Sequence, residues 1–94
     1  MKKQPFASVW DAIEPSRAQA ANMKARAEMM IAIRKTVTAW RVTQAAAAKR
    51  LGLTQPRMNA LLRGRINKFS LDALINLATR AGLAVRVEIA RPAA

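Results

Sequence analysis

The sequence predicts a mainly α-helical domain of about five helices that ends in one β-strand. Through residues 22–81, apolar residues recur at the spacing of helix faces, and Ser or Thr stands where three of the helices are expected to begin. After Gly82 the apolar period shortens to two, which indicates a strand. A chain of 94 residues is long enough for one small domain with a modest core. We therefore expect an N-terminal arm at 1–20, a helical domain at 21–82, and a strand with a tail at 83–94.

The centre of the chain predicts two short helices joined by a tight turn. The side-chain oxygen of Thr43 can cap a helix over 44–51, which Gly52 ends because glycine accepts the left-handed conformation. Thr54 can cap the next helix, and Pro56 lies in its first turn, where a missing N–H costs nothing. This is a helix-turn-helix motif, whose second helix enters the major groove in DNA-binding proteins.

Helical spacing also predicts which faces of these two helices are buried. We expect the first helix and the turn to bury Ala47, Ala48, Leu51 and Leu53. The inward face of the second helix should consist of Met58, Leu61 and Leu62, at the i, i+3, i+4 spacing. The other side chains of this helix can meet a base edge or a phosphate, namely Gln55, Arg57, Asn59 and Arg63.

The distribution of charge favours the same interpretation. The formal net charge is +12, with 17 basic and 5 acidic residues. The 43 residues from 29 to 71 contain no acid and nine basic residues, which are Arg34, Lys35, Arg41, Lys49, Arg50, Arg57, Arg63, Arg65 and Lys68. A solvated surface usually mixes both signs of charge, so a one-signed run around this motif favours a polyanionic partner.

Composition excludes several classes of protein. The chain contains no cysteine and no histidine, which excludes disulfides, zinc fingers and His- or Cys-based catalysis. Asp11 and Glu14 lie one helical turn apart, but no phosphate loop, nucleophile motif or metal-ligand cluster accompanies them. We therefore expect no enzyme activity, no metal and no cofactor.

The sequence shows no sign of a membrane partner. No apolar run approaches the roughly 18 residues of a membrane span, and the N-terminus lacks the apolar centre of a signal peptide. We expect a cytoplasmic, nucleoid-associated protein.

The N-terminal arm carries one short predicted helical turn between Pro5 and Pro15. Ser8 with Asp11 three residues later is typical of a helix start, and the turn would carry Val9, Trp10 and Ile13. Two interpretations of Trp10 are open. It packs onto the domain's own core, or it anchors the arm on a partner protein, as exposed aromatic side chains do in interfaces.

Two further helices complete the predicted core. A helix from about Asn22 to Ala39 places four apolar side chains at core spacing: Met23, Met30, Ile33 and Val37. After a polar connection, Ser70 caps a last helix that ends at Gly82, with an apolar stripe of Leu71, Leu74, Ile75 and Ala78. We expect this last helix to close the core over the two-helix motif.

The C-terminal segment predicts a strand that needs a partner. Leu83, Val85, Val87 and Ile89 alternate with more polar residues, and one strand cannot satisfy its own hydrogen bonds. Symmetric antiparallel pairing centred on Val87 would place Arg86 opposite Glu88 of a second copy, twice, and opposite charges across strands stabilise such a pair. The sequence therefore favours a homodimer formed through Val85, Arg86, Val87, Glu88 and Ile89.

Taken together, these motifs resemble the Cro/C1-type helix-turn-helix proteins of the XRE class, and most closely the small HigA-like antitoxins. The resemblance covers roughly residues 20–90 and lies in TQ, AKRLGLTQPRM, LLRG and FSLDAL, in that order along the chain. The segment AANMKARAEMM also resembles the lead-in helix of that group. In one departure, Ala46 stands where many relatives carry Glu, which weakens a helix cap without changing the DNA-facing side.

This resemblance implies a homodimer that binds a palindromic operator, represses its own operon and neutralises a RelE/HigB-like ribonuclease toxin. By position, it implies phosphate contacts from Gln44 and Thr54, and base contacts from Gln55, Arg57 and Asn59. Arginine can engage guanine O6 and N7, and Gln or Asn can engage adenine N6 and N7. Further phosphate contacts are expected from Arg63, Arg65 and Lys68, and toxin contacts from Val9, Trp10 and Ile13.

Two other functions fit the same residues. A stand-alone repressor would share the DNA-facing side but have no toxin partner. A non-specific nucleoid-type or RNA-binding protein would use the positive charge alone, although the ordered set of Gln55, Arg57 and Asn59 argues against it.

Overall fold

A computed structural model describes residues 16–91 as four α-helices and one short 3₁₀ helix. The helices are α1 (Arg17–Trp40), α2 (Gln44–Leu51), α3 (Gln55–Leu62) and α4 (Leu71–Arg80), and the 3₁₀ helix is Ile66–Lys68. The mainly α-helical prediction is confirmed for this part of the chain. The predicted helical turn with Val9, Trp10 and Ile13 lies outside the described residues.

Helix α1 begins earlier than the predicted start near Asn22. The Ser16 hydroxyl accepts a hydrogen bond from the backbone N–H of Gln19 (3.1 Å), and the Gln19 side chain accepts one from the Ser16 N–H (2.9 Å). This reciprocal pair is a capping box, which satisfies two N–H groups at the helix start. The helix ends at Arg41, which takes the left-handed conformation with φ 54°.

The three predicted N-caps are confirmed. The hydroxyls of Thr43, Thr54 and Ser70 each accept a hydrogen bond from the backbone N–H three residues later, at 3.1, 3.4 and 3.1 Å. Helix α2 ends at Gly52, whose φ of 70° is the left-handed value that glycine adopts without steric cost. Local side-chain chemistry therefore sets the starts of α2, α3 and α4 and the end of α2.

The core lies where α1, α2, α3 and α4 meet. Its buried side chains are Met30, Ile33, Val37, Ala47, Ala48, Leu51, Met58, Leu61, Phe69, Leu74, Leu77 and Ala78. Met23 was predicted in this core, but its side chain is 48% exposed, because residues 17–24 of α1 extend beyond the other helices and are all exposed. Phe69 and Leu77 are core residues that the predicted stripes did not include.

The C-terminal segment does not form the predicted strand within the described chain. Residues 83–91 have no regular secondary structure. Leu83 and Val85 pack against the core, whereas Val87 is 74% exposed and Ile89 is 92% exposed. A strand exists only through hydrogen bonds to a neighbouring strand, and residues 16–91 of one copy supply none. The strand prediction is thus wrong for the single chain, although the alternation of buried and exposed residues holds at its start.

No helix among residues 16–91 is long and apolar enough to cross a membrane.

Candidate nucleic-acid interface

Helices α2 and α3 form a compact unit around the turn at Gly52. The small buried residues Ala47 and Ala48 let α3 cross close to α2, and Met58 and Leu61 fill the space between α3 and the rest of the core. The N–H of Leu53 donates to the Ala48 carbonyl at 2.8 Å, which closes the turn. This packing fixes the direction of α3 relative to α2.

Glycine at position 52 is favoured by its left-handed conformation, and a neighbouring side chain also approaches it closely. A Cβ built on Gly52 would lie 3.0 Å from the guanidinium carbon of Arg80, which extends from the end of α4 across the turn. Arg80 therefore covers the turn from one side. Nothing in the sequence around Arg80 predicts this contact.

The predicted DNA-contacting side chains are all exposed. Those at the helix starts are Gln44 and Thr54, those on α3 are Gln55, Arg57 and Asn59, and those beyond it are Arg63, Arg65 and Lys68. Although they are exposed, those on α3 do not all lie on one face of the helix. At 3.6 residues per turn, Gln55 and Asn59 are separated by about 40° around α3, whereas Arg57 lies about 160° from Asn59.

Arg57 consequently occupies the flank of α3 that faces the connection to α4. Its guanidinium carbon lies 4.5 Å from the centre of the Phe69 ring, and its Nη1 donates to the Lys68 carbonyl at 3.3 Å. The structure therefore brings Arg57 beside Lys68. Gln55 and Asn59 lie on the other side of the helix.

The connection that carries Arg65 and Lys68 is held from a second direction by Arg26 of α1. Nη1 of Arg26 donates to the carbonyls of Ile66 (3.2 Å) and Phe69 (3.3 Å), and its Nε donates to the Asn22 side chain at 2.7 Å. These are charge-assisted hydrogen bonds, which are stronger than neutral ones. Sequence reasoning missed this role, because nothing local distinguishes Arg26 from the other cations of α1.

The positive charge of the segment 29–71 lies on the surface. All nine of its basic side chains are exposed. Two of them stack on aromatic rings of the chain: Arg57 on Phe69, and Arg50, whose guanidinium lies 4.6 Å from the centre of the Trp40 ring. With no acid in this segment to balance the charge, the surface around α2 and α3 attracts polyanions.

Among the described residues, no group of three side chains suited to hold a metal ion comes together.

Two short capped helices that cross through small residues, with the second helix exposed and surrounded by cations, define a helix-turn-helix DNA-binding domain. A family model described as "Helix-turn-helix domain" matches residues 12–90, and the chain belongs to this family (HTH_37). Helix-turn-helix regulators are typically not enzymes.

A solved structure supports the same class. It is described as "Putative XRE Family Transcriptional Regulator", is 29% identical to this chain and superposes with a TM-score of 0.71. The similarity covers 78% of this chain and 82% of that chain. No curated protein matches the sequence.

Proposed function

We propose that this protein is a sequence-specific repressor that binds a palindromic operator as a homodimer. The observation that carries the proposal is the exposed α3, held at a fixed angle by its packing on α2 and surrounded by unneutralised cations. Such a helix fits the major groove, where each base pair presents a distinct pattern of donors and acceptors. The similarity to the XRE-class structure supports the same function.

The proposed contacts divide into two kinds. Gln55 and Asn59 on one flank of α3, and Arg57 on the other, contact base edges on either side of the helix and supply specificity. The phosphate contacts fix the position of the protein on the duplex and come from Gln44, Thr54, Arg63, Arg65 and Lys68. The free N–H groups at the starts of α2 and α3 add to these phosphate contacts.

The proposed dimer forms through Val85, Arg86, Val87, Glu88 and Ile89. Val87 and Ile89 are the most exposed large apolar side chains among the described residues, and antiparallel pairing with a second copy would cover them. Such a dimer would present two copies of α3 to half-sites about one helical turn, or roughly 34 Å, apart.

Binding to the promoter upstream of the gene tests this proposal. Fluorescence anisotropy would compare that promoter with a scrambled duplex of equal length. If the dimer neutralises six to ten phosphates, raising salt from about 50 to 200 mM should weaken binding roughly a thousandfold or more. Equal affinity for the promoter and the scrambled duplex would contradict sequence-specific binding and support a non-specific nucleic-acid-binding protein.

More specifically, we propose that the protein is the antitoxin of a toxin–antitoxin pair. The support is its resemblance to HigA-like antitoxins in the segments AKRLGLTQPRM and FSLDAL. The proposed toxin is a RelE/HigB-like ribonuclease, bound through an N-terminal arm that includes Val9, Trp10 and Ile13.

Co-expression with the product of the adjacent reading frame tests the antitoxin function. A complex that survives size-exclusion chromatography and abolishes ribonuclease activity is the expected result. The variant Trp10→Ala should weaken the complex without changing operator binding, and Trp40→Ala serves as an aromatic control outside the arm. Operator binding without any such complex would leave a stand-alone repressor.

A further inference from the structure

We propose that Phe69 is a positioning residue for DNA recognition, because it holds the Arg57 guanidinium in place before DNA arrives. The inference rests on the proposed base-reading role of Arg57. It goes further by assigning a recognition role to a buried residue that lies outside α3.

The first observation is the geometry of Arg57 over the ring. Its guanidinium carbon lies 4.5 Å from the centre of the phenyl ring, within the range of a cation–π interaction. Nη1 donates to the Lys68 carbonyl at 3.3 Å, so the guanidinium is fixed both by stacking and by a hydrogen bond. Within the described residues, no other hydrogen bond engages this guanidinium, which leaves its remaining donors available for a base.

The second observation is that the ring itself is immobilised. Phe69 is only 2% exposed and belongs to the core, so its side chain cannot turn away without opening a cavity. Its carbonyl accepts a hydrogen bond from Arg26 of α1 at 3.3 Å. The ring is thus held through its side chain by the core and through its backbone by α1.

These contacts change the step at which the Arg57 side chain loses its conformational entropy. A free arginine side chain has many rotamers, and ordering it on DNA weakens binding. Because Phe69 and Lys68 already order the Arg57 side chain in the free protein, its conformational entropy is lost on folding and not on DNA binding. The expected consequence is a larger preference for the base pair that Arg57 contacts, with little change in binding to unrelated DNA.

The substitution Phe69→Leu tests this inference, because it keeps an apolar core side chain and removes the aromatic face. Affinity would be measured for the operator, for operators changed at single G·C pairs, and for unrelated DNA. We expect a loss of roughly two- to fivefold per subunit in specific affinity, confined to one G·C position in each half-site. In an Arg57→Ala background, Phe69→Leu should have no further effect.

A matched control separates positioning from stability. Leu77 lies on the adjacent α4 and is buried to a similar degree, with 5% exposure, but it has no aromatic ring on which Arg57 could stack. Leu77→Ala should lower thermal stability and leave the base preference unchanged. If Phe69→Leu weakens operator and unrelated DNA equally, or if Leu77→Ala changes the base preference in the same way, the inference is wrong.

A measurement on the unmodified protein covers the case in which Phe69→Leu does not fold. NMR relaxation of the arginine Nε–H groups would compare Arg57 with Arg63, an exposed arginine at the end of the same helix. An ordered Arg57 beside a mobile Arg63 in the absence of DNA supports the inference, and equal mobility overturns it. If wild-type protein shows no base preference while Arg57 is ordered, the proposed function fails and the positioning role fails with it.

Discussion

The helix-turn-helix unit and the C-terminal segment differ in how fully a single copy of the chain pairs their backbone groups and buries their apolar side chains. In the unit of α2 and α3, Thr43 and Thr54 cap the helices, and Ala47, Ala48 and Leu61 are buried. In the C-terminal segment, residues 83–91 form no ladder, and Ile89 is 92% exposed. One copy of the chain thus buries the core beneath its DNA-facing helix, whereas it leaves Val87 and Ile89 of the C-terminal segment exposed.

The largest expected effect comes from emptying the core beneath α3. Leu61 is fully buried, so Leu61→Ala should lower the free energy of unfolding by about 2–5 kcal/mol, because it removes apolar contacts and leaves a cavity. Ile89→Ala is the matched control in the other region and should change monomer stability by less than about 0.5 kcal/mol. Urea denaturation at low protein concentration measures both. Similar decreases in the free energy of unfolding for the two variants would contradict the proposed difference between the regions.

A smaller effect is expected at the turn. Gly52→Ala places a Cβ on a residue with φ 70°, and a left-handed conformation costs a non-glycine residue about 1–2 kcal/mol. The guanidinium of Arg80 would also have to move, which a flexible side chain does at small cost. Gly82→Ala, with φ 91° and no atom within 4 Å of the new Cβ, should show the conformational cost without a steric contact, so it controls for the contribution of Arg80. Thermal unfolding that is unchanged by Gly52→Ala would contradict the described turn.

Removing the N-cap of α2 should lower the stability of the folded protein by a smaller amount. Thr43→Ala deletes the hydrogen bond to the N–H of Ala46 and should lower stability by about 1 kcal/mol. The exposed residue Thr38 in α1 offers a control, Thr38→Ala, that should stay within about 0.5 kcal/mol of the wild type. Because Thr43 stands beside Gln44, the same variant should also weaken DNA binding of every sequence to a similar extent. A purely sequence-dependent loss would argue against a phosphate-contacting role at this end of α2.

The smallest expected effect concerns the C-terminal pairing. Glu88→Arg should weaken the proposed dimer by about 0.2–1 kcal/mol at each of two symmetric sites, because it places two like charges across the strands. Sedimentation equilibrium measures the dissociation constant. The double variant Arg86→Glu with Glu88→Arg should restore the dimer. A chain that is monomeric in every variant would contradict the proposed dimer, and a dimer that none of the variants alters would place the contact elsewhere.

Local patterns predicted the helical unit well, since caps and apolar spacing depend on residues near one another in sequence. Thr43, Gly52, Thr54 and Ser70 act at the positions that their chemistry indicates. Helical spacing also predicted the buried residues of α2 and α3. The exception is Leu62, which was expected to be buried and is half-buried. These features required no knowledge of the tertiary fold.

What could not be predicted depends on contacts between distant residues. Phe69 lies in a polar connection, so helical spacing does not indicate that it belongs to the core, although it stands just before the N-cap Ser70, where an apolar side chain often packs on the first turn. The hydrogen bonds from Arg26 span 40 and 43 residues, and a single sequence does not show such pairs. Met23 follows the core spacing of α1, but the other helices do not extend far enough to cover it.

The uneven covering of α1 also determines how its amide hydrogens exchange with water. Residues 17–24 are exposed, and within the described residues their side chains take part only in the capping box at Ser16 and in the hydrogen bond between Asn22 and Arg26. The turns that carry Ile33 and Val37 are locked into the core. Amides in the first two turns should therefore exchange through local fraying, while those near Ile33 exchange only when the whole domain unfolds. We therefore expect one continuous helix to combine a cooperative folding unit at its C-terminal end with an independently opening segment at its N-terminal end.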